Sequence, residues 1–234
     1  MEGSKVTWYN DLTLKALKKI AKATYIIPRL SFEARLIEYQ FIYSNIRSDK
    51  KLRILDVGCA GTKLPIKLAK TGHEVYGIDA CPYHNQDFYF IQSSLEHLPF
   101  DNDFFDIVSA VSTIEHVGLG RYGDPISPNG DKKAMEELKR IVKPGGKIIL
   151  TIPCGIDTIC YSRDRVPLHR VYSPHSLNEL LSGLRILELS YIVKRTNIWS
   201  PASVSEAEVI AENTKSEFVG MTSIALINAQ KEKQ

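Results

Sequence analysis

Apolar positions along the chain follow two different rhythms. In residues 11–24 (DLTLKALKKIAKAT) Leu14, Leu17, Ile20 and Ala21 fall on one side of a helical wheel, which predicts a short amphipathic helix. Pro28 interrupts it, Ser31 is placed to cap a second helix, and Phe32, Leu36, Tyr39 and Tyr43 form that helix's stripe. The helical spacing of these aromatics, and of Trp8 and Tyr9, reads as core packing, with a lid over a bound ligand as the alternative. Beyond the charged break at 48–51 the rhythm changes to apolar runs of strand length alternating with helices. RILDVG (53–58), HEVYGID (73–79), FYFIQSS (88–94), FDIVSAV (105–111) and KIILTIP (147–153) read as strands. LPIKLAKTG (64–72) reads as a helix closed by glycine, and KKAMEELKRIV (132–142) as one capped by Asp131 and stopped by Pro144-Gly145-Gly146.

The strands are continuously apolar rather than alternating, as in a parallel sheet covered on both faces. Their β-α-β order predicts a doubly wound α/β domain. Ser173-Pro174 opens a further helix. RILELSYIVKR (185–195) and GMTSIALINAQ (220–230) then read as two closing strands, the last antiparallel and added at the sheet edge. Residues 1–51 form an N-terminal helical appendage, a lid or an interface, and 52–234 the domain.

Composition agrees with one globular domain: 234 residues, 44% hydrophobic and 24% charged, which excludes disordered, collagen-like and disulfide-scaffold classes. No run of eighteen apolar residues is long enough to span a membrane, and the N-terminus lacks a signal-peptide pattern, so a cytoplasmic protein is expected. Cys59, Cys81, Cys154 and Cys160 form no C-x-x-C pair, so neither a metal site nor disulfides are expected. The net charge of +3 is uneven, since residues 1–51 hold ten Lys/Arg against five Asp/Glu. That excess reads as a solvated outer face, with an arm for docking anions as the alternative.

The chemistry concentrates at Ile54-Leu55-Asp56-Val57-Gly58-Cys59-Ala60-Gly61, a strand running into a glycine turn where the backbone can approach a ligand. Asp79 ends the next strand eighteen residues past Gly61, where a carboxylate can accept from both hydroxyls of a ribose. The pair marks a nucleoside-bearing cofactor. A nicotinamide fingerprint G-x-G-x-x-G is absent, because from Gly58 the chain reads G-C-A-G-T-K.

ILDVGCAG, VYGID, SSLEHLPFDNDFFDIVSAVSTIEHV and LKRIVKPGGKIILTIP, in that order and spacing, resemble the class I S-adenosylmethionine-dependent methyltransferases, in particular their type 11 group, over residues 52–190. The loop I-E-H-x-G-L-G-R-Y-G-D-P is similar to that of a smaller subgroup. The resemblance implies a Rossmann-like sheet and S-adenosylmethionine as cofactor. Gly58, Cys59, Ala60 and Gly61 would wrap its methionine part, with Asp56 acting through the turn. Asp79 would hold the ribose, Ala80, Ser94 and Leu95 would lie at the adenine, and Ser109 and Val111 would face the methionine end. Ala60 and Thr62 stand where the family has glycines, and Ser94 where many members have Asp. These departures bear on cofactor affinity.

His116 follows the fourth strand and His169 the fifth, so both can face the cleft at the carboxyl ends of the strands and serve as general base. The rival readings are that His116 only shapes its loop and that His169 is a loop-packing or surface histidine. Arg121, Tyr122, Asp124 and Arg170 complete a polar set for acceptor binding, with pinning of the glycine-rich loop as the equal alternative. Cys154, after the fifth strand, lacks the motif context of a nucleophile. No N-P-P-[FY] follows the fourth strand and no nucleic-acid module is appended, so a small-molecule or glycan hydroxyl is the expected acceptor for a monomer or homodimer. The alternatives are an RNA- or protein-directed methyltransferase and a non-catalytic cofactor-binding protein.

Overall fold

The structure, a computed structural model, describes residues 29–195, 198–207 and 222–233, with side chains from Ala34 onward. The helix expected over 11–24, Trp8, Tyr9 and the side chain of Phe32 lie outside the described residues. Ten strands are described: β1 (Arg53–Val57), β2 (Glu74–Asp79), β3 (Tyr89–Gln92), β4 (Phe105–Val111), β5 (Val142–Pro153), β6 (Thr158–Tyr161), β7 (Pro167–Val171), β8 (Leu184–Arg195), β9 (Ile198–Ala202) and β10 (Ser223–Lys231). The helices are α1 (Arg29–Ile46), α2 (Leu64–Lys70), α3 (Gly130–Ile141) and α4 (Pro174–Leu180). No described helix is long and apolar enough to cross a membrane.

Eight strands form one sheet in the order β3-β2-β1-β4-β5-β10-β8-β9, and β6 pairs with β7 as a separate hairpin. The first five are parallel, whereas β10 runs antiparallel to both β5 and β8. The continuous apolar runs follow from two covered faces. Leu55, Val57, Val108, Ala110 and Ile148 point to the face covered by Met135, Leu138 and Ile141 of α3 and by Leu177 and Leu180 of α4. Ile54, Ile107, Ile149, Ile224 and Leu226 point to the other, covered by Ala34, Phe41, Ile42 and Ile46 of α1 and by Leu64 and Leu68 of α2. Phe41 and Ile42 are fully buried there, and burying a side chain of that size stabilises by about 1.5–3 kcal/mol.

Four local expectations are corrected. The last strand is not at the sheet edge: β10 lies inside, between β5 and β8. Its run Ser223–Ala229 is buried throughout, while β8 exposes Arg185, Ile186, Leu187 and Leu189. A continuously apolar strand belongs between neighbours, and a strand carrying Arg185 and Glu188 belongs near the rim. Ser31 does not cap α1, because the helix begins at Arg29. The buried line of α1 is Ala34, Glu38, Phe41, Ile42 and Ile46, whereas Leu36, Tyr39 and Tyr43 are only partly buried. Asp131 is not the cap of α3, which follows Asn129. Its carboxylate is buried and accepts from the Tyr172 hydroxyl at 2.9 Å. Ser173 does cap α4, accepting from the Ser176 N–H. The β6–β7 hairpin and β9 were not anticipated. The hairpin's turn over 162–166 contains no glycine, and Arg165 takes its left-handed position at φ 57°.

Candidate active site

The carboxyl ends of β1, β2 and β4 open into a cavity of about 340 Å³. Its floor is the turn after β1. Gly58 has φ 73°, and a Cβ there would stand 2.3 Å from Thr113 Oγ1, so the position admits only glycine on two separate grounds. Gly61 is also left-handed, at φ 80°, while Ala60, in place of a family glycine, is not. The Asp79 carboxylate stands over the turn. One oxygen accepts from the Ala60 N–H at 2.8 Å and the other from the Cys81 N–H at 2.9 Å. Each oxygen keeps a further lone pair for a ligand. Ala80, Ser94, Leu95 and Val111 also line the cavity.

Asp56, Cys59 and Ser109 lie behind this wall. Ser109 Oγ donates to Asp56 at 2.9 Å, and all three are buried. Burial pushes the Asp56 carboxyl up to about 7, with the Asp79 charge adding to it and the Ser109 bond opposing. Burial likewise raises the Cys59 thiol. The four cysteines form no disulfide. Cys154, buried beside Ser223 Oγ at 3.1 Å, does not line the cavity.

His116 reaches the cavity from a 3-10 turn, Ile114–His116, just past β4. Its Nδ1 lies 2.6 Å from the Leu168 carbonyl of β7. A carbonyl only accepts, so Nδ1 carries the proton and Nε2 keeps its lone pair. Arg121 also donates to the Leu168 carbonyl, at 2.9 Å. Burial holds the imidazole down to about 4, with nearby Arg121 and His169 adding to the effect. Glu115 Oε1 is 3.8 Å from His116 Nε2. Burial raises the Glu115 carboxyl to about 8, so desolvation favours the neutral form of both partners over an ion pair. His169, on β7, packs its ring 6.2 Å from that of His116 and is also lowered by burial. It does not line the cavity.

The four polar residues expected for acceptor binding divide. Tyr122 and Asp124 line the cavity, and the Tyr122 ring meets His116 edge-on at 5.6 Å. Arg121 and Arg170 do not line it. Arg170 donates to the Val117 carbonyl at 2.6 Å and lies 3.7 Å from Asp131, while Asp124 accepts from the N–H groups of Gly118, Gly120 and Tyr122. The glycine-rich loop is thus clamped from inside by Asp124 and from outside by Arg170. Sequence reasoning passed over Arg35, Thr62, Glu96, Ser112 and Thr113, which also line the cavity, and read Tyr39 as core. The excess of Arg and Lys before residue 52 was a signal for Arg35, but nothing in the sequence singled out which cation.

A family model described as "Caenorhabditis protein of unknown function, DUF268" matches residues 76–218. The ubiquinone biosynthesis O-methyltransferase of Azorhizobium caulinodans is 33% identical over 115 residues, covering 42% of this chain and 45% of that protein. The chain thus spans less than half the length of this curated relative. Among solved structures, a SAM-dependent methyltransferase from Methanosarcina mazei superposes with a TM-score of 0.56 at 17% identity, over 82% of this chain and 97% of its own. The [4+2]-cyclase SpnF superposes with a TM-score of 0.60 at 14% identity, over 94% and 93%. The fold is therefore that of the class I methyltransferases.

Proposed function

The chain belongs to the DUF268 family, and from that premise, together with its fold and cavity, we propose that it transfers a methyl group from S-adenosylmethionine to a hydroxyl of a small organic or glycan acceptor. The observation that carries this reading is the Asp79 carboxylate, fixed by two backbone N–H groups above a glycine-only turn, with the His116 imidazole lining the same cavity. The relative's name, an O-methyltransferase, supports a hydroxyl as the acceptor group.

The residues present fit the cofactor. Asp79 offers two oxygens with spare lone pairs to a vicinal diol. Gly58 leaves the space a Cβ would fill, and Gly58 and Gly61, which line the cavity, would border the amino-acid end, with Asp56, Cys59 and Ser109 bracing the turn from behind. Ala80, Ser94 and Leu95 form a partly apolar wall for a flat base, and Val111 bounds the opposite side. When bound, the cofactor supplies an electrophilic methyl group on a sulfonium with a neutral leaving group.

His116 is the general base, and Nε2 takes the acceptor's proton. The Nδ1–H bond to Leu168 holds the tautomer and the ring plane, which is the orientation a base needs. A base held near pH 4 is weak but fully unprotonated at neutral pH. It suffices where the hydroxyl becomes acidic only as its oxygen gains the methyl group. Tyr122 and Asp124 border the acceptor end, while His169 and Arg121 keep the His116 ring and its carbonyl partner in place.

The same architecture occurs in a [4+2]-cyclase, so fold alone does not assign the reaction. The decisive test is calorimetric titration with S-adenosylmethionine and S-adenosylhomocysteine. Methyl-labelled cofactor is then incubated with phenols, sugars and RNA. Micromolar binding lost in Asp79→Asn, with label on a hydroxyl, is the expected result. A folded protein that binds neither ligand overturns the reading, and label on RNA overturns the acceptor class.

A further inference from the structure

The opposite end of the sheet holds a second hollow. The amino ends of β1, β4 and β5, together with the end of α1, border a cavity of about 360 Å³. Among the described residues it is lined by Arg47, Lys143, Lys147 and Lys233 against a single acid, Asp106. That acid is already engaged. One carboxylate oxygen pairs with Lys143 Nζ at 2.6 Å, and the other accepts from the Arg53 N–H at 2.7 Å. Although burial works the other way, these bonds hold the Asp106 carboxyl below the usual carboxylate range. Arg47, Lys147 and Lys233 pair with no described carboxylate.

Three segments far apart in the chain bring these cations together. Lys143 and Lys147 flank Pro144-Gly145-Gly146, a turn so tight that a Cβ on Gly146 would stand 2.9 Å from the carbonyl oxygens of Asp106 and Lys143. The Lys233 stem lies across the same turn, its Cε 2.9 Å from where a Gly145 Cβ would be. Arg47 directly follows the last residue of α1. Cations at a helix end commonly do no more than complement its free carbonyls. Lys147 fills that role, donating from Nζ to the Asn45 carbonyl at 3.3 Å, and its ammonium keeps two further N–H donors. One cation serves the helix end, so Arg47 and Lys233 are surplus to it. Like charges gathered in a hollow repel one another, which costs stability unless an anion sits among them.

We propose that this second cavity binds the diphosphate group of a phosphorylated ligand, held by Arg47, Lys147 and Lys233. Three unmatched cations call for a compact group carrying about three negative charges, which a diphosphate supplies and a lone carboxylate does not. The guanidinium offers a fork to two phosphate oxygens, and the two ammonium groups act as point charges beside it. Inorganic pyrophosphate and a nucleoside diphosphate share this chemistry. Ile46, Leu52 and Ile107 also line the cavity and give a nucleoside an apolar wall. The site stands at the other ends of the strands from Asp79 and His116, so it does not depend on the methyl-transfer reading.

The test is titration calorimetry at low ionic strength with inorganic pyrophosphate and, separately, with ADP and UDP. The parent is expected to bind pyrophosphate with a Kd of roughly 10–100 µM, weakening as salt is added. Tighter binding of a nucleoside diphosphate makes the nucleotide the ligand, whereas equal or weaker binding makes the diphosphate alone the recognised group. Arg47→Met and Lys147→Met should each weaken binding by about 10-fold, with thermal unfolding showing an intact fold. Lys233→Met gives the same reading if Lys147→Met fails to fold. Lys50→Met, an exposed cation outside the cavity, should bind as the parent does, and so should Asp79→Asn. Added pyrophosphate should slow hydrogen exchange in residues 45–52 and 142–147. A parent that binds no pyrophosphate overturns the proposal. So does a loss in Lys50→Met as large as in Arg47→Met, which would mark a diffuse positive field, and so does a loss in Asp79→Asn, which would put the nucleotide in the other cavity. Single-stranded RNA that binds more tightly than every diphosphate, and is weakened by the same variants, would make the occupant a nucleic-acid backbone instead.

Discussion

The two sides of the Gly58 turn are built by different means. On the β2 side the turn and its carboxylate lie between Ile54 and Cys81, with only Ser94, Leu95 and Glu96 added from just past β3. A strand ends in glycines of positive φ, and a carboxylate accepts the N–H groups of Ala60 and Cys81. On the β4 side the groups arrive from across the chain: Arg35 and Glu38 from α1, Ser112 and Thr113 after β4, Thr151 from β5, and Leu168 from the β6–β7 hairpin. The first side is a backbone device, specified by local conformation and short spacing. The second is a side-chain assembly whose parts meet only once the sheet order is set. Substitutions that strain the backbone of the first side should therefore act all-or-none, whereas changes of a single polar side chain on either side should be graded.

Gly58→Val should have the largest effect. It combines a left-handed backbone with a clash against Thr113 Oγ1, costs about 3 kcal/mol, and should abolish binding of S-adenosylhomocysteine in calorimetry. A Gly58→Val protein that binds normally would remove the basis for treating this side as conformationally fixed. On the other side, His116→Gln should lower turnover by about 10²- to 10⁴-fold. Affinity for S-adenosylhomocysteine should hardly move, as read from product release with whichever acceptor the parent methylates. Equal losses in turnover and cofactor affinity would place His116 in the cofactor cradle instead. Asp79→Asn should weaken S-adenosylhomocysteine by about 100-fold, and a weakening below threefold would dissociate Asp79 from the ligand.

The smallest expected effect is on stability against pH. Asp56 rises to about 7 and Glu115 to about 8, both chiefly through burial, while burial lowers His116 to about 4 and also lowers His169. Above the ordinary histidine value of 6.5, the folded chain keeps protons on the two carboxyls that the unfolded chain has already released, so stability falls as pH rises towards 8. Below 6.5 the unfolded histidines take up protons that the folded ones refuse, which opposes the carboxyls and flattens the curve. The thermal midpoint should therefore be nearly level on the acid side of 6.5 and decline above it, and Asp56→Asn should shrink the decline. An Asp56→Asn protein with the parent's slope would show that Asp56 is not the buried acid responsible.

Much of the fold was legible in the chain because a strand covered on both faces must be apolar throughout. β1, β2, β4 and the core of β5 could be read within a residue or two for that reason. The same signal in Ser223–Ala229 marked a central strand, yet chain order suggested the edge. Insertion of β10 between β5 and β8 depends on which partner's edge is free, and that is a property of the whole sheet. α1 misled in a related way. Its aromatic stripe was visible, but the buried line carries Glu38, a residue that no apolar pattern selects. The hairpin that positions Leu168 and His169 was missed because its turn uses Arg165 at positive φ where glycine is usual.

By itself, the sequence determined the parallel sheet, the glycine turn and the carboxylate at the end of β2. These rest on apolar burial, backbone sterics and hydrogen bonds between residues close along the chain. Only the tertiary structure decided which cation faces the cavity, which histidine reaches it and which of the polar loop residues merely hold the loop. Those roles depend on distances between groups far apart in sequence, and a buried hydrogen bond or a desolvated imidazole exists only when the surrounding protein has excluded water.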